Sequence, residues 1–150
     1  MRRLFLLAGL VAALAWTTQA PARPACTPGV HKIGGVTVRT FCGPAKATLR
    51  IGTRTYQFAG GECVRTAKMF LLNIGTITLG ATPKSRYFGS LVSPAAHDGT
   101  FTNQVISWQV PGKGGGLAGA KVTLSGGRTK GTFSGPVIGG GTGSGTFTCG

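Results

Sequence analysis

From Lys46 onward, apolar side chains recur at every second position, and glycine or proline closes each run after a few residues. A β-strand sends successive side chains to opposite faces, so this alternation commits a segment to a half-buried strand. In KATLRIG, Ala47, Leu49 and Ile51 share one side, and Lys46, Thr48 and Arg50 the other. The same reading puts Phe70, Leu72 and Ile74 on one face, then Ile106, Trp108 and Val110, then Ala120, Val122 and Leu124. Phe147 and Cys149 share a side in the closing GTFTCG. No apolar stripe of helical period runs beyond two turns. Turn signals fall at Gly60-Gly61, Asp98-Gly99, Pro111-Gly112 and Gly126-Gly127. The pattern predicts an all-β domain, an antiparallel β-sandwich or partly open barrel of about eight or nine short strands.

Composition shifts after residue 111. Fifteen of the thirty-nine residues from Gly112 to Gly150 are glycine. β-patterned runs lie between the GKGGG and GGGTGSG stretches, so these are expected as long glycine-rich loops inside one domain. The Gly-Thr-Phe echo in GTFSG and GTFTC marks two similar strands.

The start of the chain reads differently. Arg2 and Arg3 precede an unbroken apolar or glycine run from Leu4 to Trp16, followed by small residues at Thr18, Ala20 and Ala22. That run is shorter than the roughly 20 apolar residues needed to cross a bilayer and suits a secretory signal peptide. Cleavage is expected after Ala20 or Ala22, the latter keeping Pro21 away from the cut. Residues 1–22 are thus assigned to the signal and 23–150 to a single secreted β domain.

Lipid attachment at Cys26 would need a Leu-like residue three positions before it and two small residues between. Arg23, Pro24 and Ala25 stand there instead. Four cysteines, Cys26, Cys42, Cys63 and Cys149, pair evenly in an oxidising compartment, and the count alone allows three connectivities. All four are expected as half-cystines.

The run ATLRIGTRTYQFAGGECV resembles the pattern of the mycobacterial nineteen-kilodalton lipoprotein antigen family, in which an Ile-Asp-Gly strand leads through Val-x-Gly to a cysteine. Here Ile51-Gly52-Thr53, Phe58-Ala59-Gly60 and Cys63 stand in those places. The family's closing hydrophobic-x-x-x-Thr-Cys strand is similar to GTFTC ending on Cys149, and the likeness spans roughly residues 47–150. The resemblance implies one β-rich envelope domain with Cys63 bonded to Cys149. This chain departs from the family in lacking the lipobox and in carrying Cys26 and Cys42 as an extra pair. Roles that depend on the lipid do not carry over.

Catalytic chemistry finds few residues. Glycoside hydrolysis wants two facing carboxylates, and the chain has only Glu62, beside a cysteine, and Asp98, in an Asp-Gly turn. His97 and Asp98 are adjacent, so on a strand or tight turn their side chains diverge and make no Ser-His-Asp relay. His31 and His97 are too far apart for a metal cluster, and disulfides consume the thiolates. PGKGGG lacks phosphate-loop spacing. No enzyme activity, metal or cofactor is expected.

Charge is the functional signal that remains. Sixteen lysines and arginines face two acids, a net charge of +14, or +12 once Arg2 and Arg3 leave with the signal. Such a domain is drawn to polyanions. Arg39, Lys46, Arg50 and Arg54 are candidate anion-binding residues, expected on one outward sheet face; Lys121, Arg128 and Lys130 flank a late hairpin. Outside the cell, the expected polyanions are acidic wall polymers, anionic lipid headgroups or released nucleic acid. The sequence offers no stacking platform for reading bases. Two functions stand: a secreted or envelope-associated binding domain that uses its basic face, and a structural or protein-interaction envelope protein whose charge is incidental. A small extracellular hydrolase is a distant third.

Overall fold

The computed structural model describes residues 26–150. The expected signal peptide, residues 1–22, lies outside the described residues. The domain is all-β, with eleven strands where eight or nine were expected: β1 (Gly29–Ile33), β2 (Val36–Thr40), β3 (Lys46–Ile51), β4 (Arg54–Ala59), β5 (Gly61–Arg65), β6 (Phe70–Thr78), β7 (Tyr87–Val92), β8 (Gly99–Val110), β9 (Lys113–Ser125), β10 (Lys130–Pro136) and β11 (Thr142–Thr148). The surplus comes from a hairpin ahead of Cys42 and from the segment 54–65, which breaks at Gly60 into two strands.

All strand pairs are antiparallel. The strands form one sheet in the order β1-β2-β6-β7-β8-β9-β10-β11-β3-β4, with β5 against β6. The hydrogen-bonded path does not close. It curls until its two halves pack face to face, because the period-two apolar sets need a common interior. Phe70 of β6 stacks on Phe147 of β11 at 5.3 Å, and Phe88 of β7 meets Phe133 of β10 at 5.2 Å and Phe58 of β4 at 5.5 Å. Tyr56 of β4 stacks on Trp108 of β8 at 5.6 Å. Leu49, Leu72, Ile74, Ile106, Leu117, Val122 and Leu124 fill the space between. Each fully buried side chain of this size contributes roughly 1.5–3 kcal/mol.

The chain passes from one half to the other at Gly60-Gly61. β4 pairs with β3 and β5 pairs with β6, so this corner brings the ends of the curled sheet together. Gly60 takes a positive φ of 81°, and a side chain at Gly61 would stand 2.8 Å from Cγ1 of Ile74. Glycine is required at both places for different reasons, one conformational and one steric.

The glycine-rich stretches are not simply loops. Gly114, Gly115 and Gly116 lie within β9, and Gly143 and Gly145 within β11. Their register explains this. Gly115 opposes Trp108, Gly131 opposes Phe147, and Gly145 opposes Phe133. In each pair the ring lies over the glycine: a Cβ on Gly115 would stand 2.8 Å from Cζ2 of Trp108. The large inward rings need a cross-strand neighbour with no side chain, the arrangement known as aromatic rescue of glycine. The Gly-Thr-Phe echo is therefore a pairing. Gly131-Thr132-Phe133 lies antiparallel to Gly145-Thr146-Phe147, each glycine under the other's phenylalanine.

Two disulfides join Cys26 to Cys42 and Cys63 to Cys149. The first spans the β1–β2 hairpin; Phe41, just past β2, packs on Tyr87 with the rings 5.8 Å apart. Burial pushes the Tyr87 phenol up from its ordinary value, and it donates to Oδ1 of Asn73 at 2.9 Å. The second ties β5 to the residue just past β11.

Candidate anion-binding face

The outward side of β4, β3, β11, β10, β9 and β8 carries one polar residue per strand in a continuous line. Cα pairing places Gln57 beside Thr48, Thr48 beside Thr146, Thr146 beside Thr132, Thr132 beside Thr123 and Thr123 beside Thr100. Five threonines from five neighbouring strands thus stand in one row across the sheet. The hydroxyls of Thr100 and Thr123 are 3.0 Å apart. Strands lie about 4.8 Å apart, so the row repeats a threonine position at that interval, with the side-chain oxygens closer where they pair.

Parallel rows flank it, roughly 6.6 Å to each side along the strands. One reads Thr55, Arg50, Ser144, Ser134 and Lys121; the other reads Ala59, Lys46, Thr148, Lys130 and Ser125. Lys46, Arg50, Lys121 and Lys130 are all exposed, and none of the three rows contains a carboxylate. Nε of Arg50 donates to the Gly52 carbonyl at 3.2 Å, which holds the guanidinium near the face.

The face is shallowly concave. One depression is lined by Lys121, Thr123, Thr132, Ser134, Ser144 and Thr146; a second by Lys46, Thr48, Thr146 and Thr148; a third by Lys46, Thr48, Gln57 and Ala59. Because they share Thr146, then Lys46 and Thr48, they form one trough. It runs across the strands from β9 to β4 beside the threonine row, lined by Lys121 at one end and Lys46 at the other.

The four expected anion-binding residues divide. Lys46 and Arg50 share the outward face of β3. Arg54 stands opposite Ile51, at a register position belonging to the core side, so alternation turns it away from Arg50. Arg39 lies on β2, paired with Ile77 of β6 on the other half of the sheet, and its guanidinium carbon sits 5.1 Å over the Phe41 ring. Lys121 and Lys130 occupy the places expected of Arg39 and Arg54. Alternation within a strand assigns each residue a face, whereas joining faces requires pairing between strands far apart in sequence. Thr48 and Thr146, which meet here, are such a pair.

The opposite outward surface differs. Val64, Leu71, Leu91 and Val105 form an apolar row across β5, β6, β7 and β8. Val105 is 61 % exposed and Leu91 48 %.

His97 and Asp98 are both engaged by the main chain. Nδ1 of His97 lies 2.7 Å from the main-chain oxygen of Asp98, while the Asp98 carboxylate accepts from the amides of Gly127 at 2.9 Å and Arg128 at 2.6 Å. These hydrogen bonds, led by that from Gly127, hold its carboxyl below the ordinary value of 3.8. Arg128 in turn donates to the carbonyls of Thr66 and Ala95, both at 2.7 Å. Among the described residues, no group of three histidine, cysteine or acidic side chains is placed to hold a metal, and no helix is long and apolar enough to cross a membrane.

No family model, curated protein or solved structure matches this chain.

Proposed function

We propose that this chain is a secreted or envelope-associated, non-catalytic binding domain that holds anionic polymers or lipid headgroups on its basic face. The carrying observation is the arrangement of Lys46, Arg50, Lys121 and Lys130 around a row of hydroxyls with no acid among them. Each cation near an anionic surface contributes on the order of 1 kcal/mol, falling off within a Debye length of roughly 8–10 Å. Four together give salt-sensitive attachment. Two disulfides are the mark of an oxidising compartment, where such polymers are found.

The test is retention on cell-wall preparations and anionic-lipid vesicles at low and high salt. Lys46→Gln with Arg50→Gln should weaken retention while leaving the melting temperature unchanged. Retention indifferent to both the substitutions and salt would refute the reading.

The protein-interaction alternative is favoured by the apolar row of Val64, Leu71, Leu91 and Val105. Leu91→Ser with Val105→Ser separates the two, since it spares polyanion binding and abolishes only a contact made through that row.

A further inference from the structure

The trough has a direction, a period and a chemistry that together narrow its ligand. Resting on the anion-binding reading, we infer that the face binds an extended acidic polysaccharide, laid across the strands along the threonine row from β8 to β4.

Three observations support this occupant over other polyanions. The middle of the trough is hydroxylic. Thr100, Thr123, Thr132, Thr146 and Thr48 present donors and acceptors from positions one strand apart, about 4.8 Å, which is close to the rise of one sugar ring in an extended chain; the Thr100 and Thr123 hydroxyls lean together to 3.0 Å. A sugar polymer offers matching hydroxyls at each step. The cations sit in the rows on either side of the threonines, Lys46 and Lys130 in one, Arg50 and Lys121 in the other. Carboxylate or sulfate groups projecting alternately from a flat polymer would meet both rows in turn.

The third observation is what the face lacks. The aromatic rings of the strands beneath it, Phe58, Phe133 and Phe147, are buried in the core. Single-stranded nucleic acid binding without sequence preference relies on bases stacking on exposed aromatics, and nothing on the three rows supplies that. A lipid surface would be gripped by exposed apolar side chains beside the cations. Apart from Ala59, the three rows hold hydroxyls, amides and cations only.

The experiment compares polygalacturonate, single-stranded DNA and anionic phosphatidylglycerol vesicles at matched ionic strength. Thr132→Val with Thr146→Val keeps β-branched residues on exposed strand positions, so the fold should persist, as a melting curve checks. Losing two hydroxyl contacts should weaken polygalacturonate binding about tenfold and leave DNA and vesicle binding unchanged. Lys121→Gln with Lys130→Gln should weaken binding to all three. If the lysine substitutions weaken binding but the threonine substitutions do not, the polysaccharide assignment falls and the anion-binding reading stands. Tighter binding to DNA or vesicles than to polygalacturonate also overturns it. If the lysine substitutions change nothing, the basic-face reading fails as well.

Discussion

Gly131 lies directly across from Phe147, and a Cβ added to it would stand 2.5 Å from Cζ of that ring. Two residues further along, the roles exchange, and Phe133 covers Gly145. The β10–β11 pair therefore fixes its own register. A shift by one residue in either direction would set each ring across from a residue with a side chain and turn one of the two phenylalanines outward.

Gly131→Ala and Gly145→Ala should each destabilise the domain by about 3 kcal/mol, the upper part of the range for overpacking, because main-chain oxygens as well as rings crowd both sites. Gly114→Ala is the control. Its Cβ would meet only Pro83 and the neighbouring strand at ordinary contact distances of 3.6 Å or more, so stability should hold or rise by about 0.5 kcal/mol. Chemical denaturation of the three variants reads the difference.

Ser90 faces the core between Leu72 and Ile106, and its hydroxyl is buried without a hydrogen-bond partner. Ser90→Ala removes that uncompensated group at little cost in volume. Stability should increase by about 1 kcal/mol. A loss in urea denaturation would show that the hydroxyl is satisfied in solution.

Removing the Cys63–Cys149 bond, which closes a loop of sequence separation 86, should cost on the order of 4 kcal/mol. Replacing Cys26 and Cys42 with serine frees only the β1–β2 hairpin region, separation 16, and should cost less. Thermal melts of the two double-serine variants should rank in that order.

The Asp98 carboxyl is held below its ordinary 3.8 by the Gly127 and Arg128 amides, so the fold favours its charged form. That contribution is present above the ordinary value and is lost as pH falls through the lowered folded value. Asp98→Asn should melt earlier than the parent at neutral pH, and the gap should narrow as pH drops well below 3.8. A gap independent of pH would mean that the carboxylate's charge plays no part in holding the β9–β10 turn.

Alternation exposed the core because it is local: Ala47, Leu49, Phe70, Leu72, Ile106, Val122 and Phe147 are buried as their spacing in the sequence requires. The glycine-bearing strands were hidden, since glycine has no side chain to alternate, and its place in β9 and β11 depends on rings in partner strands. The candidate face was half legible. Lys46 and Arg50 follow from the period of β3, but the threonine row arises only when residues some hundred positions apart, such as Thr48 and Thr146, come into register. Nothing in the chain's linear pattern announces that meeting.

The two cystines also decide how the domain would respond to being stretched. Tension entering at Cys26 crosses directly to Cys42, and tension reaching Cys63 crosses directly to Cys149. Only the twenty residues between Cys42 and Cys63, which contain β3 and β4, lie on the loaded route. Pulled straight at ~3.5 Å per residue, they extend about 70 Å, after which covalent bonds bear the force. The strands from β6 to β11 are shielded from it entirely. Lys46, Arg50 and Thr48 belong to the loaded segment, whereas Lys121, Lys130, Thr132 and Thr146 do not, so pulling on the chain would peel one half of the trough from the other before the core is breached.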